Sequence, residues 1–155
     1  AVSSVYLEFE LRRWLEAATA DELVVLGHSY ATSVENRVDD SVHPERFRER
    51  SGIHLWVFDA ARAQQSGTGS LRANVQQEIR NASDVESTVH VDRLVDGSIE
   101  SLYAFVPIDN NGERWLLVFG RGPDQISDAL EKMRVFLLRM WFLTHFREKT
   151  HYHNL

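Results

Sequence analysis

From Asp124 to Thr150 the chain reads DQISDALEKMRVFLLRMWFLTHFREKT, with no glycine or proline in it. Nothing in that run forces a helix to break. Gly122-Pro123-Asp124 ahead of it is a helix start: a loop glycine, a proline suited to the first turn and an acid at the positive end. As one helix the run extends about 40 Å. Ile126, Leu130, Met133, Leu137 and Met140 make an apolar stripe at steps of three and four. From Val135 to Leu143 every residue except Arg139 is apolar. A helix that is apolar all round needs cover on more than one side. The expectation is one face on the rest of the domain and another on a second helix, from this chain or from a second copy. Asp124, Asp128 and Glu131 come early, whereas Lys132, Arg134, Arg139, Arg147 and Lys149 follow, an order that suits the helix dipole.

The 155 residues are the length of one domain. Leu7, Leu11, Trp14 and Leu15 make a helical stripe across Val5–Ala18. Thr19-Ala20-Asp21-Glu22 has the form of a capping box and predicts a second helix from Asp21 to about Val38. A short helix is expected between His43 and Arg50, closed by Gly52. Ile53–Asp59, IHLWVFD, is apolar on both alternating faces and reads as a central strand covered on both sides. A weak strand signal follows at Ala63–Ser66. Ser70 is a candidate N-cap for a helix over Leu71–Ala82. Thr88–Val95, Ser98–Ile108 and Glu113–Arg121 read as an antiparallel meander, with Asp96-Gly97 and Asp109-Asn110-Asn111-Gly112 as its turns. Strands gathered in a meander with helices packed on them predict an α+β fold. Its parts are the helices of 5–38, the sheet core of 53–121 and the exit helix of 124–150.

Composition narrows the chemistry. The absence of cysteine excludes disulfides, thiolate metal sites, cysteine nucleophiles and thioether-linked chromophores. A net charge of −6 makes a poor partner for nucleic acid or an anionic membrane. The longest apolar run is far too short to span a bilayer. The N-terminus lacks the pattern of a secretion signal and an initiating Met, so the expectation is a segment of something longer. No nucleophile elbow or phosphate loop is visible.

Four stretches resemble a GAF domain, a small sensory module of signalling proteins. Glu10–Leu23, with its ELRRWLEAATADEL run, is similar to the family's opening helices. Ile53–Asp59 is similar to its first strand, which commonly ends in an acid. Ser101–Phe119, SLYAFVPIDNNGERWLLVF, is similar to its paired strands, and Asp124–Lys149 to its closing helix. PAS and Cache domains share the order of a strand, connecting helices and a terminal meander. The resemblance implies a non-enzymatic sensory domain spanning 1–155, a homodimer in the cytoplasm, and an output domain beyond the C-terminus. That domain would be a histidine kinase or a cyclic-di-GMP synthase or hydrolase. A PAS- or Cache-like extracytoplasmic ligand sensor is the alternative. A small enzyme with an acid/base site at His54 or His90 is another.

A ligand pocket is expected between the sheet and the helices over it, lined by His54, Trp56, Phe58, His90, Tyr103 and Phe105. The cofactor, if any, is unspecified and not covalently held. The dimer seam is expected as a four-helix bundle of two chains, in which Leu7, Leu11 and Trp14 pack against Leu130, Met133, Leu137, Met140 and Trp141. His145, His151 and His153 lie near the end of the chain, where little holds ligands in place, so no metal site is expected.

Overall fold

In the computed structural model, Val2–Val34 is one uninterrupted helix, α1. The structure describes the backbone of residues 2–97 and 99–153, and the side chains of 10, 13–97, 99–123, 125, 126, 128, 131, 132 and 134–146. The two opening helices expected from the capping box are therefore one. Thr19, the expected cap, is buried inside the helix. A capping box starts a helix only where the preceding residue leaves helical geometry, and no glycine or proline makes it do so here.

The buried side of α1 steps in fours: Leu15, Thr19, Leu23, Gly27 and Ala31. Three of these five are small, so α1 lies close on the sheet. The large apolar Trp14 of the expected stripe is exposed, as is Leu26. Asn36, at φ 62°, ends the helix and turns the chain. Its N–H donates to Asp109 O at 2.9 Å, and its Oδ1 accepts from Asn111 N–H at 2.9 Å. These two bonds tie the end of α1 to the last hairpin. Two short helices follow, α2 (Val38–Ser41) and α3 (Pro44–Ser51), the second closed by left-handed Gly52.

Five antiparallel strands form one sheet in the order β2-β1-β5-β4-β3. They are β1 (His54–Phe58), β2 (Gln64–Gly67), β3 (Thr88–Arg93), β4 (Ile99–Asn110) and β5 (Glu113–Arg121). β1 lies inside the sheet, as its two apolar faces predict. Asp59 at its end is a turn residue: its carboxylate accepts from Ala63 N–H and from Gln65 Nε2, both at 2.9 Å. β4 and β5 join through Asn111-Gly112, whose φ values of 54° and 90° are those of a tight two-residue hairpin. β4 thus runs two residues further than the sequence suggested, β5 has the expected bounds, and the turn is shorter. The β3–β4 connection is wider than its Asp96-Gly97 signal, because the register shifts after Asp92.

Alternation along the strands divides the core in two. Leu102, Ala104, Val106, Leu117 and Phe119 face α1 and α3. Phe47 of α3 and Tyr30 of α1 meet Phe119 edge-on, with ring centroids 5.6 and 6.1 Å away. Trp56, Phe58, Tyr103, Phe105, Leu116 and Val118 face the other way and pack with Leu71 and with Val75 and Ile79 of α4 (Ala73–Arg80). The expected Ser70 cap is absent: Arg72 holds the N-cap position without a side-chain bond.

The chain divides into two compact units, Ala1–Pro123 and Asp124–Leu155. α5 (Pro123–His153), which starts at the expected proline, supplies the described residues of the second unit from Asp124 on. Among the described residues no helix is long and apolar enough to cross a membrane.

Candidate functional site

β5 carries a glycine, Gly120, where a side chain would otherwise stand between β1 and β4. Its Cα pairs with His54 on one side and Tyr103 on the other, and Tyr103 pairs in turn with His90. Trp56 and Tyr103 lean over the bare position. A Cβ there would stand 2.8 Å from Trp56 Cζ3 and 3.0 Å from Tyr103 Cε1. Glycine inside a strand often marks such a close approach.

Over Gly120 lies a hollow of about 170 Å³, walled by His54, Trp56 and Tyr103, with Gly69, Ser70, Ser101, Arg121 and Gly122 around it. Trp56 is fixed by its indole N–H, which donates to Gly69 O at 2.8 Å. Its ring also crosses Gly67 of β2, where any side chain would collide with it. His54 stacks on Trp56 with ring centroids 5.7 Å apart, and its Nδ1 is 2.9 Å from Thr68 Oγ1. Burial holds the His54 pKa below its ordinary value, Arg48 lowers it further, and Glu45 opposes both. Burial pushes the Tyr103 hydroxyl up, against a hydrogen bond with Ser101; Asp92 and Glu100 add to the rise and Arg72 opposes it. Both groups are therefore neutral near pH 7.

Beside this hollow, Asp92 of β3 is 2% exposed. Its Oδ1 accepts from Asn74 Nδ2 at 2.6 Å, and its Oδ2 lies 3.4 Å from Arg72 Nη1. A buried carboxylate is costly unless paired in this way. The pairing ties the first turn of α4 to the edge strand.

All six side chains expected at a pocket share one face of the sheet. His54, Trp56 and Tyr103 line the hollow. Phe58 and Phe105 instead sit in the closed core beneath α4. His90 stacks on Tyr103 and Phe105, at 6.4 and 6.2 Å, outside the hollow. Gly120, Ser101 and Asp92 were not singled out from the sequence, and Ser70 was read only as a helix cap. Only Gly120 carried a local signal, a glycine within an apolar strand.

Of the residues expected at a dimer seam, Trp14 is 59% exposed on α1, and Leu137, Met140 and Trp141 are exposed on α5. The side chains of Leu7, Leu11, Leu130 and Met133 lie outside the described ones. So does the metal reading of His151 and His153. Among the described residues, no group of three or more His, Asp or Glu is arranged to hold a metal ion.

The chain matches no protein-family profile, no curated protein and no solved structure.

Proposed function

We propose that this chain is a non-enzymatic regulatory module of GAF/PAS-like sensory type. It forms a homodimer through α5 and relays the state of the His54–Trp56–Tyr103 hollow to an output domain joined to α5. The resemblance implies an output domain such as a histidine kinase, or a cyclic-di-GMP synthase or hydrolase.

The observation that carries this reading is the surface of α5. Phe136, Leu138, Met140, Trp141, Phe142 and Phe146 are all at least half exposed. Contiguous apolar surface of this kind marks an interaction site, and residues on every side of the helix call for more than one neighbour. A symmetric second copy supplies the same surface in return. The α+β architecture, with a central strand, connecting helices and a closing meander, supports the sensory type. The hollow adds a route: Gly120, Arg121 and Gly122 border it, and the chain runs from them directly into α5 at Pro123. A bound molecule thus acts on the residues from which the exit helix springs, and a helical seam with two packings can pass that on.

Light scattering over a concentration series tests the seam, with wild type beside Leu137→Asp/Trp141→Asp. The expected result is a mass near twice 17.9 kDa for wild type and a folded monomer for the double variant. A wild-type monomer at every concentration refutes the dimer.

A further inference from the structure

We infer that the hollow over Gly120 takes a small, planar, uncharged molecule bearing a hydrogen-bonding group, and not a nucleotide, a tetrapyrrole or a simple carboxylate. This deepens the sensory reading and rests on it.

Size makes the first cut. A volume of about 170 Å³ falls below the ~300–1,000 Å³ of pockets that enclose drug-sized ligands. Enlarging it at the walls is resisted, because Trp56 is held by Gly69 and by its fit over Gly67 and Gly120. Shape makes the second. The walls are aromatic: Trp56 and Tyr103 lie 5.9 Å apart at 54°, and His54 stacks on Trp56. A flat ring offers them the most contact.

Charge makes the third. The polar groups around the hollow are the hydroxyls of Ser70, Ser101 and Tyr103, the His54 ring and backbone. His54 is kept neutral by its burial and by Arg48. Arg121 borders the hollow, but alternation along β5 puts its side chain on the face opposite Gly120. There its Nη2 donates to Glu22 Oε1 of α1 at 3.3 Å. Among the described lining residues there is no carboxylate and no other guanidinium, and the charges nearby are engaged with each other, Arg72 with Asp92 at 3.4 Å and Arg48 with Glu45 at 3.1 Å. An ion entering would lose water without gaining a counter-charge, whereas a neutral amide or phenol meets hydroxyl and imidazole partners.

Three probes of one shape separate these cases: benzamide, benzoate and benzamidinium, titrated at pH 7.5 into the 155-residue chain. Amide and indole N–H shifts in two-dimensional NMR are the readout. The expected result is saturable shifts at the Trp56 indole and at Gly69, Gly120 and Gly122 with benzamide, at least tenfold tighter than with either ion. Ser101→Leu, which narrows the rim, abolishes them. Equal or tighter binding of an ion overturns the inference, as does the absence of saturable shifts with benzamide. If Ser101→Leu does not fold, the ranking of the three probes on wild type decides alone. The seam is judged separately by light scattering, so a dimer that ignores benzamide refutes the ligand class and leaves the seam standing.

Discussion

Gly27 of α1 lies directly over Phe119 of β5. A Cβ at position 27 would stand 2.7 Å from Phe119 Cδ2 and 3.2 Å from Val106 Cγ2. Replacing a mid-helix glycine by alanine normally gains about 1 kcal/mol. Overpacking a filled core costs about 1–3 kcal/mol, and here it opposes that gain. Gly27→Ala is expected to lower the urea midpoint, although the same change at an open helical site raises it. A raised midpoint would show that α1 stands off the sheet.

Removing the carboxylate of Asp92 leaves Asn74 Nδ2 without its acceptor and deprives Arg72 of its counter-charge. Asp92→Ala is expected to cost about 1–3 kcal/mol. The double change Asp92→Ala/Asn74→Ala should cost less than the sum of the two single ones, because the lost bond is counted once. Additive losses would mean that the 2.6 Å contact contributes nothing.

His54 makes stability depend on pH. Its folded pKa lies below the ordinary value of 6.5, through burial first and Arg48 second, with Glu45 opposing. As pH falls below about 6.5, the unfolded chain takes up the proton before the folded one does. The contribution is therefore complete above about 6.5 and is lost as pH falls from there through the folded pKa. Urea midpoints at pH 7.5 and 5.5 should differ more for wild type than for His54→Gln. An equal difference for both proteins rules His54 out.

Asn36 does two things at one position. Its φ of 62° suits asparagine or glycine, and its side chain accepts from Asn111 N–H. Asn36→Gly keeps the backbone and loses only the side-chain bond, at about 0.5–1.5 kcal/mol. Asn36→Ala loses both and adds about 1–2 kcal/mol for a left-handed residue with a Cβ. Chemical denaturation of the two variants should rank alanine below glycine. The reverse order would place Asn36 outside the left-handed region.

Apolar alternation made the sheet legible. Ile53–Asp59 and Trp115–Phe119 are apolar on both faces, and both prove to be interior strands. Helix ends were less legible, because a hydroxyl three residues before a glutamate occurs inside helices as well as before them, as Thr19 shows. The buried side of α1 was only partly legible, for a related reason. A hydrophobicity pattern follows large side chains, yet close contact with a sheet selects small ones at 19, 27 and 31. The hollow depends on what is missing at Gly120 and on which strands flank it, and neither is local information. The six side chains on one face could be grouped by alternation along each strand. Which of them border open space was set by tertiary packing: Phe58 and Phe105 are enclosed in the cluster with Val75 and Ile79 of α4, whereas Trp56 and Tyr103 belong to that cluster and also line the hollow.

The position of β5 between β1 and β4 also governs how the chain assembles. Trp56 on β1 must wait for Val118 on β5, about sixty positions further on. Closing so long a loop is entropically costly before any contact repays it. On a ribosome, β1 emerges early with only the four-residue β2 to pair with. Its other edge, Leu55 to Phe58, stays open until almost all of the sheet has been made. The centre of this sheet is therefore its last part to close, and the nascent chain is exposed to wrong partners for most of its synthesis.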